Sequence, residues 1–262
     1  PQNVPRRKTL RRVHLEEASD RMTLKPGSIT ELQNLLHQSQ RVAGVSLEAV
    51  AGLVEHVPED MTATVQAGMS LAVFQKRLAA SGQWLPVDPP NPESVTICQL
   101  LAKNLSGPRR FGCGTVRDWL IGLAVVLPDG RLIRNGGKVV KNVAGFDLCR
   151  LFVGARDTLG IIVEAAFKLL PLPEGEAYLA RPCESLGQAE EVLEKIWDSD
   201  LQPTVLDLHR IDTESLTLVA GFAGPSADVE AQSSEAYELG FVDETSLDYD
   251  AAFRHSVPGF TS

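Results

Sequence analysis

The chain has 262 residues, 44% hydrophobic and 23% charged, the balance of an ordinary globular protein, which excludes wholesale disorder and collagen-like architectures. Its 25 Lys and Arg stand against 34 Asp and Glu, a net charge of -9, and that acidic balance argues against nucleic acid as a partner. Four cysteines (Cys98, Cys113, Cys149 and Cys183) show no CxxC spacing and no histidine at ligand intervals, so neither a disulfide framework nor a metal site is expected.

Single cores stop growing at roughly 250 to 300 residues, so two domains are expected. No apolar run reaches the roughly 18 residues of a membrane span, and no hydrophobic stretch follows the basic cluster Arg6-Arg7-Lys8 with Arg11-Arg12. The expectation is a cytoplasmic protein without direct membrane insertion, at most peripheral to the inner face of the membrane through partners. The basic cluster itself reads as a solvated arm.

In chain order, Ile29, Leu32, Leu35 and Leu36 at three- and four-residue spacing predict a helix from about Ile29 to Gln38, capped by Ser28 or Thr30. Residues 52–57 and 61–68 are β-prone runs around the turn-forming Pro58-Glu59-Asp60 and predict a hairpin. Ser70 caps a second helix with Leu71, Phe74 and Leu78 on one face and Gly82 as its stop. The Pro-rich Leu85–Pro90 and Gly-rich Gly107–Gly114 stretches are loops that bring backbone close to something. A helix is predicted over Thr96–Asn104, and strands over Leu120–Leu127, Arg131–Asn135 and Gly160–Leu170. Beyond Pro171-Leu172-Pro173 come a helix near Leu186–Asp198, strands at Val205–Arg210 and Leu216–Ala223, and a helix from about Ser226 to Leu239. That second unit ends in Pro258-Gly259-Phe260 with no obvious closing strand and looks incomplete.

The most informative run is Lys138–Gly154 followed by Thr158–Ala165. It offers a polar loop with Lys141, Asn142 and Asp147, a short helix, and a glycine-flanked entry into a buried strand. Gly160 would let backbone approach a flat ring, and Ile161 and Ile162 could bond it through main-chain groups. An adenine or flavin ring would suit; turn glycines and core aliphatics without a ligand are the other reading.

The wording of that run, together with Asn104–Arg110 and Gly114–Asp118, resembles the FAD-binding domain of the p-cresol methylhydroxylase and vanillyl-alcohol oxidase type. Within that group it most resembles the small FAD-binding subunit of glycolate oxidase. The match covers nearly all of Thr30 to Pro173. The resemblance implies an α+β fold: a two-subdomain FAD-binding domain over 1–173 (about 1–84 and 85–173), followed by a partial α+β substrate or cap domain over 174–262. It implies FAD as cofactor, lined by Pro86, Asp88 and Pro89 and by the stretch starting at Thr96. Asn104, Ser106, Gly107, Gly114, Thr115 and Asp118 fall where the family contacts the flavin, and Gly160, Ile161 and Ile162 where it holds the adenine end. Arg109 and Arg110 could add cationic help. The activity implied is a flavin-dependent 2-hydroxy acid oxidoreductase passing electrons to partners, a larger flavoprotein subunit and an iron–sulfur subunit, because this chain has no Cys cluster of its own.

Three departures from the family's pattern favour an alternative, a flavin-free scaffold relative. A Gly-rich phosphate loop is absent between Gln40 and Val45; Cys98-Gln99 stands where the family has paired glycines; and Ala155-Arg156-Asp157 replaces a smaller, usually Gly-containing sequence. No catalytic residue is assigned. Of His14, His37, His56, His209 and His255, only His209 beside Arg210 could face a 2-hydroxy acid, and an ordinary strand pair is the blander reading. Asp243, Glu244, Asp248 and Asp250 lack calcium-loop spacing and read as solvated surface.

Overall fold

The structure, a computed structural model, describes residues 22–38, 42–136, 148–210 and 216–256. Residues 39–41, Lys141, Asn142, Asp147, the basic cluster, His14 and Pro258–Phe260 lie outside the described residues.

Strand β1 (Met22–Leu24) and β2 (Val42–Val45) pair in parallel, joined through helix α1 (Ile29–Gln38), which buries Leu32 and Leu36. Ser28 starts α1, its hydroxyl accepting the Glu31 N–H at 3.1 Å. β3 (Leu53–Val57) and β4 (Thr62–Gln66) form the expected hairpin around a single 3-10 turn at Pro58–Asp60. α2 (Leu71–Ala79) follows, its Ser70 cap accepting from Val73 N at 3.3 Å, with Leu71, Phe74 and Leu78 buried. Then come β5 (Gln83–Trp84), the short helices α3 (Ile97–Ala102), α4 (Arg110–Cys113) and α5 (Val116–Trp119), β6 (Leu120–Val126) and β7 (Leu132–Gly136). α6 (Leu148–Phe152), β8 (Ile161–Lys168) and β9 (Leu170–Pro171) complete this part.

The five-stranded sheet runs β3-β4-β8-β6-β7, every neighbour antiparallel, so it draws strands from both sides of residue 84. β8 sits at its centre, and Ile162, Val163, Ala165 and Phe167 are all buried. One apolar core extends from Leu24 to Leu169.

Gly68 links β4 to α2 where no side chain fits. A Cβ there would lie 1.8 Å from the Leu47 carbonyl oxygen and 2.7 Å from that of Val50. Because backbone, not a flexible side chain, stands in the way, Gly68→Ala is expected to lower stability by about 1–3 kcal/mol in urea denaturation. An unchanged midpoint would show that the 47–50 turn is free to yield.

The second unit consists of β10 (Gly175–Cys183), α7 (Leu186–Trp197), β11 (Val205–His209), β12 (Leu216–Gly224), α8 (Ser226–Glu238), β13 (Asp243–Glu244) and α9 (Asp248–Ser256). Its antiparallel sheet runs β11-β12-β10-β13. Alternation sends Leu179, Leu218, Ala220 and Phe222 into a core with Val192 and Ile196 of α7 and Val229 and Ala236 of α8. The other face gathers Val205 and Val219 against Tyr249 of α9. β10 is absent from the sequence-based expectation, and β13 supplies the short edge strand that the sequence did not reveal. Among the described residues no helix is long and apolar enough to cross a membrane.

Candidate functional site

The loops after β5 and after α3 are docked on each other. The Asp88 carboxylate accepts the Arg109 backbone N–H at 3.1 Å, and a Cβ on Gly107 would lie 1.9 Å from the Asp88 carbonyl oxygen. Gly107 is therefore required by contact between the two loops. Pro86 and Pro89 are buried beside Asp88, and the Ser106 carbonyl accepts from Arg254 of α9 at 2.9 Å. Asn104 turns the chain out of α3 in the left-handed conformation, φ +49°. Its Oδ1 is buried without a donor, as is Asp88 Oδ1, while Arg117 Nε lacks an acceptor.

Thr115 and Asp118 serve α5 itself. Asp118 Oδ2 accepts from the Thr115 N–H at 2.8 Å and its hydroxyl at 2.9 Å, and that backbone bond, more than any other influence, holds the carboxyl below its usual range. Gly114, at φ +77°, admits the same oxygen, which would stand 2.8 Å from a Cβ there. At the start of β8 a Cβ on Gly160 would lie 2.7 Å from the Val125 side chain and 2.9 Å from the Val126 carbonyl. Ile161 and Ile162 pair with Val126 and Val125. The small size of Gly160 thus serves the close approach of β6.

Thr96 caps α3, and every amide of that first turn has a partner within the protein. Thr96 N–H donates to Gln99 Oε1 at 3.1 Å, and Gln99 N–H to the Thr96 hydroxyl at 3.2 Å. Ile97 N–H donates to the Met69 carbonyl at 2.9 Å, and Cys98 N–H to that of Ala67 at 2.7 Å. The Thr-x-x-Gln spacing of this capping box is legible in the sequence, although the expectation for this helix made no use of it.

Arg109 ties the two units together. Its Nη1 and Nη2 donate to Glu176 Oε1 and Oε2 of β10 at 2.6 and 3.1 Å, and Nη2 also donates to the Tyr178 hydroxyl. Asp88 lies 3.7 Å away, and the guanidinium sits 4.8 Å from the Trp84 ring centre. The Arg109 side chain is only 13% exposed and both Nη atoms are engaged, while its buried Nε makes no hydrogen bond and lies 3.7 Å from Asp88. Arg110 is exposed. Two grooves meet at Asp88: one of about 810 Å³ lined by Lys76, Trp84, Arg109, Glu174 and Glu176, the other of about 600 Å³ lined by Ser94, Asp248 and Asp250. Burial pushes the Asp88 carboxyl from 3.8 up to about 6, against the opposing pull of the Arg109 amide and guanidinium; nearby Asp250 adds to the rise.

His209 lies on the face of β11 turned toward α9. Its ring stacks on Tyr249 at 4.2 Å between centres and 7° between planes, and Tyr249 donates to Asp207 at 3.3 Å. His209 Nδ1 is buried without a partner, and burial lowers the ring's affinity for a proton, so a neutral imidazole is favoured. Arg210 is exposed, away from any such pairing in the described contacts. Asp250 is bound by Arg254 at 2.9 Å and Asp248 by the Ser246 hydroxyl at 2.7 Å.

Comparison with known proteins places this geometry. Residues 30–136 match the family profile described as "FAD binding domain". The chain is 37% identical over 171 residues to glycolate oxidase subunit GlcD of Bacillus subtilis, covering 65% of this chain and 36% of that protein. It is 37% identical over 153 residues to glycolate oxidase subunit GlcE of Escherichia coli, covering 58% of this chain and 43% of that one. It also matches a probable mitochondrial D-lactate dehydrogenase of Danio rerio at 36% over 132 residues, 49% of this chain and 26% of that one. A solved alkyldihydroxyacetonephosphate synthase superposes with a TM-score of 0.73 at 17% identity, over 89% of this chain and 54% of that one, which shows the fold. The chain spans less than half the length of these curated relatives.

FAD fits the two ends of this arrangement unequally. Asn104 and Asp88 present buried oxygens that lack donors, as a ring bearing N–H groups would supply. A diphosphate needs free amides, and the first turn of α3 offers none. At that end the residues present do not fit the group. Residues 30–136 resemble the FAD binding domain family, and FAD is the cofactor that this match and the relatives indicate.

Proposed function

We propose that this chain is a subunit of a flavin-dependent 2-hydroxy acid oxidoreductase of the glycolate oxidase kind, working beside a larger flavoprotein subunit and an iron–sulfur subunit. The observation that carries the reading is the identity to two differently named subunits of glycolate oxidase, over 65% and 58% of the chain. The geometry is in keeping with a subunit that depends on others. Two of the side chains that the sequence offered for substrate or anion are engaged: His209 is stacked on Tyr249, and Arg109 is held by Glu176 and Asp88. The chain's own contribution is to hold the second unit over the loops at 85–89 and 104–109.

The test is to isolate the tagged chain from its native cells and assay dye reduction with glycolate, D-lactate and D-2-hydroxyglutarate. Flavoprotein and iron–sulfur partners should accompany it, and one of these acids should reduce the dye only when they do. A chain that isolates alone, from cells whose 2-hydroxy acid oxidation survives its deletion unchanged, would sink the reading.

A further inference from the structure

Two of the positions at which this sequence departs from the family it resembles meet in space. Cys98, in the first turn of α3, places its sulfur 3.9 Å from Asp157 Oδ1, in the loop before β8. The Ile162 main-chain N–H, at the start of β8, faces the same sulfur. A side chain from one departing position thus reaches a side chain from the other, and both lie where ligand-facing backbone is expected from the sequence.

The backbone around Asp157 is informative in itself. Arg156 and Asp157 are consecutive residues with φ of +50° and +59°, a left-handed conformation that glycine adopts freely and other residues adopt at a cost. The shape of a glycine loop is kept while a carboxyl is set into it. Gln99 completes the closure, because its side-chain oxygen accepts the Thr96 N–H that would otherwise be free. Each change acts in the same direction: the sulfur takes volume, the carboxyl is the wrong sign for an anion, and the amide oxygen takes a donor.

We propose that Cys98, Gln99 and Asp157 close the diphosphate end of the FAD site, so that this chain alone holds FAD weakly. The proposal rests on the match of residues 30–136 to the FAD binding domain family and not on the 2-hydroxy acid reading. Loss of that reading would leave the comparison of FAD with riboflavin untouched.

The experiment titrates FAD and, separately, riboflavin into the full chain and into Cys98→Gly, Asp157→Gly and the double variant, following flavin fluorescence. The double variant should bind FAD at least ~10-fold more tightly than the parent, with riboflavin changed by less than ~2-fold, because riboflavin carries no phosphate. Asp157→Gly should also leave the melting temperature unchanged or raised, since it relieves a left-handed residue. Should Cys98→Gly fail to fold, Cys98→Ala with Asp157→Gly carries the same comparison, as alanine removes the sulfur and keeps a good helix former. Parent and double variant binding FAD equally, or riboflavin gaining as much as FAD, would overturn the proposal.

Discussion

Replacing Arg109 by alanine is expected to lower the free energy of unfolding by about 3 kcal/mol, the lower end of the cost of removing one partner of a buried ion pair. The loss comes from the groups left behind. Asp88, with its side chain 17% exposed, loses its nearest cation, and Glu176 loses a two-pronged partner. Trp84 and Tyr178 lose the guanidinium that lies against their rings. Arg109→Lys keeps the charge and loses the fork, so an intermediate loss is expected. The pair Arg131 with Asp129 is the control: at 73% and 51% side-chain exposure it is screened by water, and Arg131→Ala should be nearly silent. Urea denaturation of the three variants checks this, and equal midpoints for Arg109→Ala and Arg131→Ala would contradict a junction held by Arg109.

The second large effect concerns pH. Asp88 binds its proton more tightly folded than unfolded, so it stabilises the fold most below about pH 4, and that contribution is lost as pH rises through about 6. A rise from 3.8 to about 6 is worth about 3 kcal/mol between those limits. Asp88→Asn removes the titration and keeps an oxygen for the Arg109 N–H. Relative to the parent, this variant should therefore gain about 3 kcal/mol in unfolding free energy between about pH 4 and pH 7. The other carboxylates cancel in the difference. Parallel stability profiles for parent and variant across that range would show that Asp88 is well solvated in the folded chain.

Local signals in the sequence anticipated much of this structure. The three- and four-residue spacing from Ile29, and Ser70 ahead of Leu71, Phe74 and Leu78, lead to α1 and α2 because capping and helical periodicity are decided within one or two turns. β10 escaped notice because Gly175, Glu176, Ala177, Arg181 and Pro182 are poor strand formers; nine residues of pairing to β12 hold it in place. The strand order also depends on pairing across long sequence separations, as between Thr62 and Lys168.

The site divides in the same way. Resemblance singled out Thr96, Asn104, Gly107 and Asp118 as cofactor-facing; the structure gives Thr96 and Asp118 capping roles and Gly107 a loop contact, and none of these partners was anticipated from the sequence. Arg109 finds Glu176 across 67 residues, and no spacing rule links them. The closure at Cys98 was half legible: the sequence showed side chains where glycines were expected, and only the fold brings Asp157 to meet them.

The most direct measurement is the flavin content of the chain after expression and purification with FAD in every buffer, followed by gel filtration without it. A folded chain whose diphosphate end is closed by its own residues should emerge with well under one FAD per chain, and the Cys98→Gly, Asp157→Gly variant with several-fold more than the parent. A parent chain that emerges yellow, with one FAD retained per chain, would contradict the account.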